Sequence, residues 1–358
     1  MNQMPYWEIL AYDNPLERQK WQTICDSFED IDIFFFPEYA HLFELHGDGK
    51  PYLFVYHQSE SDLAIYPFLK RPIGELDNFH TTIADYFDIA SPYGYGGYLR
   101  NSSNVNMEIF ANYFNNYCQS QHIVSEFIRF HPIINNALYA PQDIKITPSR
   151  ETVTIDLTND SNTIWKDFEP TCRNKIRKAI NNNIKIVRDD NYDNLKNFYE
   201  LYIKTMHRLK AHKYYNFSEN WFNSLRRLLN NNNALFHAYY KNNIINSAIF
   251  IFCRSYIHYF LSGSLFEMRQ LAGNNLLLYE VALWAKQQGF KYLHLGGGYQ
   301  PNDSLSCFKS SFSSKKTKYC ISGVIHRSDD YNYLCKLRFP SGEFQGHDIF
   351  FPLYRFPQ

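Results

Sequence analysis

The chain has 358 residues, of which 45% are hydrophobic and 18% aromatic, and its 36 lysines and arginines balance 36 aspartates and glutamates. This composition supports substantial cores and excludes wholesale disorder, while the balanced charge excludes a globally basic, nucleic-acid-binding protein. The length is better suited to two domains than to one. Any contact with RNA would therefore depend on a local basic patch.

The first residues, Met-Asn-Gln-Met-Pro-Tyr-Trp, lack a basic region followed by an apolar core, and no apolar run reaches the length of a membrane span. We therefore expect a cytoplasmic protein without a transmembrane segment. The seven cysteines form no Cys-x-x-Cys pair, which favours reduced, mostly buried thiols and no metal site. No Ser/His/Asp, zinc or Walker pattern is apparent.

The first part of the chain alternates between strand and helix signals. Pro15 follows Asn14, a pattern typical of a helix start, and alternating apolar residues predict a pair of strands further on. In chain order the predicted elements are a strand at 7–11, a helix from Asn14-Pro15, strands at 51–57 and 62–69, a helix at about 103–120 and a strand at 124–130.

The segment 86–98 is too rich in glycine and tyrosine to predict regular structure. Glycines let the backbone approach a ligand closely, and tyrosines offer an apolar face with a polar tip. Two interpretations remain open. Tyr93 and Tyr95 contact a substrate, or the segment is a buried aromatic loop that closes the first domain.

The order of hairpin, loop, helix and strand reappears in the second part of the chain, which predicts two copies of one αβ fold. We place the first domain at 1–150, completed by the C-terminal tail 330–358, and the second domain at 151–329. The predicted elements of the second domain begin with a strand at 153–157, helices at 162–168, from Thr171, at 195–209 and from Ser218, and strands at 234–240, 245–253 and 256–261.

A glycine turn, a helix, a strand and a second glycine turn follow one another between Arg269 and Phe312. Apolar residues recur at helical spacing after Gly273, Gly289 is a plausible helix stop, and residues 292–295 alternate as a strand. Because the first amides of a helix have no partner within it, the helix that starts at Gly273 can hold an anion. An acyl or phosphoryl donor could dock there.

Part of this segment resembles the sequence signature of a known enzyme family. Gln270-Leu271-Ala272-Gly273-Asn274-Asn275 is similar to the Gln/Arg-x-x-Gly-x-Gly/Ala signature of GNAT acyltransferases, whose amides hold the pyrophosphate of coenzyme A, although Asn275 stands where Gly or Ala is usual. With the basic run 173–179 upstream and Phe308-Lys309 downstream, the arrangement resembles the FemABX branch of that fold. The resemblance implies an α/β (α+β) protein with two tandem GNAT-like domains, each a mixed, mainly antiparallel sheet flanked by helices.

The resemblance also implies roles for individual residues. Lys309, beside Phe308, would stabilise the oxyanion of the acyl transfer, an effect worth roughly a few kcal/mol, unless it is simply a solvated lysine. Arg208 resembles an arginine that binds a phosphate of the acceptor. The interpretation that it is an ordinary surface arginine remains equally open. Apart from the resemblance, the position of His294 next to the triple glycine 296–298 makes it a hypothetical proton relay. The expected donor-binding residues are Gln270, Gly273, Asn274, Asn275 and Gly297.

FemABX-like proteins mostly move an aminoacyl group from aminoacyl-tRNA onto an amine of a cell-wall precursor, and the segment 86–98 resembles members from polysaccharide gene clusters. We therefore expect an acyltransferase that acts on an amino-sugar or on a nucleotide- or lipid-linked sugar, with acyl-CoA or aminoacyl-tRNA as donor and no permanently bound cofactor. The basic residues of 173–178 are a possible tRNA contact or a solvated face. Two alternatives are an aminoacyl-tRNA-dependent enzyme of peptidoglycan synthesis and a non-catalytic scaffold that binds a glycan or a protein.

Overall fold

The computed structural model describes residues 4–76, 79, 85–300, 303–340 and 350–356. The chain forms two compact units, the first of Met1–Ser149 with Tyr319–Gln358 and the second of Arg150–Lys318. Each unit is a mixed, mainly antiparallel sheet with helices, which confirms the fold class predicted from the sequence.

The elements follow in chain order. The first part of unit 1 contains β1 (Tyr6–Ala11), α1 (Pro15–Ser27), α2 (Pro37–Glu44), β2 (Lys50–His57), β3 (Leu63–Pro72), β4 (Phe87–Ala90), β5 (Leu99–Arg100), α3 (Met107–Ser120) and β6 (Ile123–Arg129). Next come β7 (Thr147–Asp156), α4 (Ser161–Asp167), α5 (Pro170–Asn181), β8 (Lys185–Arg188), α6 (Leu195–Arg208), α7 (Glu219–Leu229), β9 (Asn233–Tyr240), β10 (Asn243–Cys253), β11 (Tyr256–Ser264), α8 (Gly273–Gln287), β12 (Tyr292–Gly296) and α9 (Ser304–Ser310). The chain ends with β13 (Lys316–Ile325) and α10 (Ser328–Arg338).

Among the described residues of unit 1, the sheet has the strand order β1-β2-β3-β4-β6-β13, in which β4 and β6 run parallel and the other neighbouring strands antiparallel. Strand β4 lies in the segment 86–98, which the sequence indicated to be irregular. Residues 87–90 nevertheless form a strand because they pair with β3 on one side and with β6 on the other. An aromatic core that includes Phe54, Tyr66 and Phe114 packs between the sheet and α3.

Hydrogen bonds to the buried carboxylate of Asp88 hold the C-terminal residues in place within unit 1. Arg71 Nε donates to one of its oxygens at 2.7 Å, and Arg355 Nε and Tyr354 Oη donate to the other at 2.5 Å and 3.0 Å. We expected residues 319–329 in the second domain. In the structure they cluster with unit 1, because residues 321–325 of β13 pair with β6.

The sheet of unit 2 has the order β7-β12-β11-β10-β9-β8, and β11 and β12 are its parallel pair. The parallel pairing covers residues 256–258 and 292–294 only, although β11 continues to Ser264. We call the region beyond His258 and His294, where β11 and β12 are no longer paired, the wedge. Helix α8 connects the two strands and packs with α5 on the apolar face of the sheet.

The helix boundaries follow local sequence signals. Gly289 has φ +87° and directly follows the last turn of α8, as predicted. Ser218 caps α7 through its side chain, whereas Thr171 is not the cap of α5, because that helix already begins at Pro170. Among the helices of the described residues, none combines the length and the apolar character needed to cross a membrane.

Candidate active site

The first turn of α8 is the part of unit 2 suited to an anion. The helix starts directly after Ala272, which has φ 56° and whose carbonyl oxygen accepts hydrogen bonds from the amides of Asn275 and Leu276. The amides of Gly273 and Asn274 precede this point and have no acceptor within the helix. These two N–H groups, with the positive end of the helix dipole, favour a bound phosphate or carboxylate.

Close packing against β10 is enough to explain why residue 273 is a glycine. A Cβ atom there would lie 2.4 Å from Asn246 Oδ1 and 2.9 Å from Ile245 Cδ1. Helix α8 therefore approaches β10 more closely than a side chain would allow. A glycine at this point does not by itself indicate a ligand.

The other residues of the signature point in different directions. Gln270 is exposed, and Asn274 Nδ2 donates to the hydroxyl of Tyr259 at 3.2 Å. Asn275 is only 5% exposed, and its amide group donates to Cys172 Sγ at 3.7 Å. The side chain of Asn275 thus faces the interior of unit 2, and its main-chain N–H is already bonded to Ala272.

Lys309 is buried on α9, which excludes a solvated lysine. Its side chain is 9% exposed, and Nζ donates to the main-chain oxygen of Gly297 at 2.9 Å. Burial lowers the pKa of Lys309 to about 8; the negative charge of Asp303 opposes this shift and the positive charge of Arg150 adds to it. The neighbouring Phe308 packs edge-to-face on Phe312, with ring centroids 5.3 Å apart, and so fixes α9 on the core.

The loop after β12 is held by Arg150 and Asp303. Arg150 Nη1 donates to the carbonyl of Gly298 at 3.0 Å, and Asp303 accepts hydrogen bonds from the amides of Tyr299, Gln300 and Ser306. Burial would raise the pKa of Asp303, but these amides together lower it. The same carboxylate therefore shapes the loop and caps α9.

Neither Arg150 nor Asp303 was identified from the sequence. The pattern Asp-Ser-Leu-Ser at 303–306 is a recognisable helix start and could have revealed Asp303. Arg150 gives no such signal, because its partner Gly298 lies 148 residues away. At position 297 a Cβ would lie 2.4 Å from the oxygen of Glu151, so the glycine there permits close packing on β7.

His294 lies at the apex of the wedge. It is paired with His258 in the parallel register. The two Nδ1 atoms are 3.2 Å apart, so one ring donates a hydrogen bond to the other. His294 is 2% exposed and His258 3% exposed. On its other side His294 is paired with Thr154 of β7.

Arg208 is exposed at the end of α6 and lies over the ring of Phe266, with Cζ 4.7 Å from the ring centroid. Arg269 lies over the same ring at 3.9 Å. Phe266 and Arg269 belong to the 3-10 helix Phe266–Leu271, which immediately precedes α8. The two guanidinium groups are therefore held by one aromatic ring close to the first turn of α8 along the chain.

Tyr93 and Tyr95 belong to unit 1 and are half-buried there. Tyr39 Oη donates to the carbonyl of Tyr93 at 2.7 Å, and Tyr95 packs edge-to-face on Phe34 and Tyr319, with centroid distances of 5.3 Å and 5.4 Å. Both tyrosines thus contribute to an aromatic cluster of the unit while retaining some exposed surface.

A Ser–His–Asp arrangement that the sequence did not reveal lies elsewhere in unit 2. Ser247 Oγ is 2.7 Å from His237 Nδ1, and His237 Nε2 is 3.3 Å from Asp189 Oδ2. Ser247 and His237 are fully buried, so no substrate can reach the serine hydroxyl. The Asp189 carboxylate also accepts hydrogen bonds from the main-chain amides of Asp193 and Asn194, which directly precede α6. The three side chains therefore hold the start of α6 on the sheet.

A model of the family described as Acetyltransferase (GNAT) domain matches residues 167–303. No curated protein matches the sequence. The structure is similar to that of FemX, with a TM-score of 0.68, 14% identity, and coverage of 88% of this chain and 98% of that one.

Two further structures are similar over most of their length. L-PGS from Bacillus licheniformis has a TM-score of 0.55 and 12% identity, and covers 88% of this chain and 93% of its own. The C-terminal domain of a putative lysylphosphatidylglycerol synthetase from Agrobacterium fabrum has a TM-score of 0.53 and 10% identity, with coverage of 88% and 94%. At such identities the likeness concerns the fold. The chain therefore has a tandem GNAT-like fold similar to that of FemX, and residues 167–303 within its second unit match the model described as Acetyltransferase (GNAT) domain.

Proposed function

We propose that this protein is an N-acyltransferase that moves an acyl or aminoacyl group from a thioester or ester donor directly onto an amino group. The observation that carries the proposal is the position of Lys309. Its buried ammonium is bonded to Gly297, in the loop that leaves β12 just beyond the wedge. A buried positive charge close to the point where the pairing of two parallel strands ends is suited to a carbonyl group that becomes an oxyanion.

The reaction needs no covalent enzyme intermediate. The acceptor amine attacks the donor carbonyl carbon, and the carbonyl π electrons move to the oxygen and form an oxyanion. Lys309 stabilises that charge with the N–H groups that are not bonded to Gly297. When the tetrahedral intermediate collapses, the thiolate or alkoxide leaves and the nitrogen loses its proton. With a pKa of about 8, Lys309 is mostly charged at pH 7.

The donor's phosphates would lie at the first turn of α8. The amides of Gly273 and Asn274 supply neutral donors, and Arg269 and Arg208 supply positive charge from the ring of Phe266. The family resemblance implied that Arg208 binds a phosphate group of the acceptor. Because Arg208 shares Phe266 with Arg269, which lies in the turn before α8, we assign its phosphate to the donor instead.

The acceptor would be an amino group on a sugar-linked or cell-envelope precursor. Support comes from the similarity of segment 86–98 to FemAB-like proteins of polysaccharide gene clusters, and from structural neighbours named FemX and lysylphosphatidylglycerol synthetase. Tyr93 and Tyr95 of unit 1, which keep some exposed surface, are proposed contacts of a sugar ring. His294 is proposed as the first group to receive the amine proton.

Exposed lysines on α5 make aminoacyl-tRNA a second candidate donor. Lys175 and Lys178 on α5 are exposed, whereas Arg173 is bonded to the carbonyl of Lys166, and Arg177 lies over Trp165. The exposed lysines could contact RNA phosphates beyond the acceptor end. The GNAT domain in general suggests acyl-CoA, so both donors must be tested.

The deciding experiment measures the melting temperature of the protein with acetyl-CoA, free CoA and charged tRNA separately, followed by transfer of labelled acyl group to amino-sugar nucleotides. A saturable rise with CoA species and label on the sugar nitrogen would support an acyl-CoA enzyme. A response to charged tRNA alone would support an aminoacyltransferase. Binding of a glycan with no response to either donor, and no transfer, would contradict the proposal and favour the scaffold.

A further inference from the structure

Two consecutive carbonyl groups in the turn after β12 are each bonded to a cation. Lys309 Nζ donates to the oxygen of Gly297 at 2.9 Å, and Arg150 Nη1 donates to the oxygen of Gly298 at 3.0 Å. The side chain of Arg150 also lies against Gly297, because a Cβ atom at that position would be 3.3 Å from Arg150 Cδ. The peptide group that accepts from Lys309 thus adjoins one that is held by a residue of β7.

Asp303 fixes the path of the chain from this turn to α9. Its Oδ2 accepts hydrogen bonds from the amides of Tyr299 and Gln300 at 2.7 Å and 2.9 Å, and its Oδ1 accepts one from the amide of Ser306 at 2.6 Å. Burial would raise the pKa of Asp303, but these bonds lower it overall, so the carboxylate is charged at neutral pH. One carboxylate thus holds both the residues that follow the turn and the start of the helix that carries Lys309.

The two side chains have opposite electrostatic effects on the ammonium of Lys309. Burial has the largest effect on its pKa and lowers it to about 8; the negative charge of Asp303 raises the pKa, and the positive charge of Arg150 lowers it. Both charges therefore lie close enough to Nζ to interact with it. Removing either charge should move the titration of Lys309, and the two changes should have opposite signs.

We propose that Arg150 and Asp303 are positioning residues, which hold the Lys309 ammonium at a fixed place beside the carbonyl of Gly297. Arg150 fixes the turn that supplies this carbonyl, and Asp303 fixes the start of the helix that supplies the lysine. The proposal rests on the proposed function, in which the ammonium stabilises the oxyanion. An error of about 1 Å in the place of such a group can lower a rate on the order of a hundredfold.

The first test separates kcat from KM. Arg150→Met should lower kcat at least about tenfold, with the donor KM changed by less than about threefold, because the first turn of α8 is not altered. In a Lys309→Met background, Arg150→Met should cause no further loss of kcat, because the group that it positions is absent. Arg100→Met is the matched control, since Arg100 Nη1 also donates to a main-chain carbonyl, that of Val105 at 3.2 Å in unit 1. It should leave kcat and the donor KM unchanged.

The second test is the titration of Lys309, followed by NMR of isotope-labelled lysine. Arg150→Met removes a positive charge and should raise the pKa of Lys309, whereas Asp303→Asn removes a negative charge and should lower it. Looser packing would expose the lysine to water and raise its pKa in both variants. A fall in Asp303→Asn is therefore a result that packing alone does not give. Any result other than these opposite shifts would overturn the proposal.

Loss of the helix cap could prevent Asp303→Asn from folding. Asp303→Ser then replaces it, because serine retains a cap acceptor without the charge and must lower the pKa of Lys309 in the same way. Arg150→Lys keeps the positive charge, so the titration of Lys309 should lie nearer to that of the wild type than in Arg150→Met.

The outcomes also distinguish this proposal from the proposed function. If the wild type transfers no acyl group, the proposed function fails, while the titration still decides whether the two charges act on Lys309. If transfer occurs and the titration does not shift in the two opposite directions, only the positioning role fails. Opposite shifts with an unchanged kcat in Arg150→Met would likewise remove the positioning role and leave the proposed function in place.

Discussion

The side chain of Lys309 donates a hydrogen bond of 2.9 Å to the main-chain oxygen of Gly297, across a segment of 12 residues. This bond joins α9 to the loop that leaves β12, so the second glycine turn and the lysine form one structural feature. Because the ammonium is buried, it acts in a low-dielectric environment, where its charge has more effect than at the surface. Several measurable properties of the protein depend on this one group.

Replacing Lys309 with methionine should lower kcat on the order of a hundredfold or more, the scale for loss of one oxyanion donor, with a small change in donor KM. Lys286→Met is the matched control, because Lys286 also donates to a main-chain carbonyl, that of Leu157 at 3.0 Å. It should keep kcat within about twofold of the wild type. Equal kcat in wild type and Lys309→Met would exclude the proposed role.

The pH dependence of kcat shows which form of Lys309 acts. If the ammonium stabilises the oxyanion, the ratio of wild-type to Lys309→Met kcat should fall as the pH rises through about 8. The ratio removes the effect of acceptor ionisation, which both proteins share. A ratio that rises through that pH would instead assign Lys309 the role of general base.

Burial of Lys309 should also make stability depend on pH. The folded-state pKa of about 8 lies below the ordinary value of 10.5, so between these values the unfolded chain binds more protons and the free energy of unfolding rises with pH. Relative to Lys309→Met, the wild type should gain up to about 3 kcal/mol over this range. Urea denaturation of both proteins at several pH values measures the gain, and parallel curves would contradict the buried charge.

Asn274→Asp should affect stability and donor binding in opposite directions. A carboxylate in the first turn of α8 interacts favourably with the helix dipole, by about 0.3–1 kcal/mol, and can still accept from the Tyr259 hydroxyl. The same charge repels a phosphate, so the donor Kd should rise at least about tenfold. Asn106→Asp, at the cap of α3, is the control that should leave donor binding unchanged. Calorimetry with the donor decides between these outcomes.

Gly273→Ala is expected to destabilise unit 2 by about 1–3 kcal/mol, because the new methyl group would meet Asn246 and Ile245 of β10. Loss of donor binding in this variant alone would therefore not prove a phosphate site. Thermal denaturation without donor measures the packing effect. An unchanged melting temperature would show that α8 can move away from β10.

The pair His237 and Asp189 should make unit 2 sensitive to acid. Burial lowers the pKa of His237 below 6.5, although Asp189 acts in the opposite direction. As the pH falls below 6.5, the unfolded chain takes up the proton first, so the free energy of unfolding decreases. His237→Gln lacks this titration and should lose less stability than the wild type between about pH 7 and about pH 5. Equal losses would show that the histidine is not buried in its neutral form.

The sequence by itself determined the local elements that depend on periodicity and on caps. The apolar spacing after Gly273 predicted α8, Gly289 predicted its end, and Ser218 predicted the start of α7, and all three agree with the structure. The repeated order of elements, with the resemblance of the motifs, also predicted the tandem fold. These signals are local, because a helix cap or an alternating strand is specified by residues a few positions apart.

Only the tertiary structure decided the environment of each side chain. Lys309 is buried because Gly297 and α9 come together, and Asn275 faces Cys172 because α5 packs beside α8. Strand β4 forms despite its glycine-rich surroundings, since β3 and β6 pair with it on both sides. The physical reason is common to all three: burial, pKa and strand pairing depend on contacts between residues far apart in the chain, which spacing along the sequence does not encode.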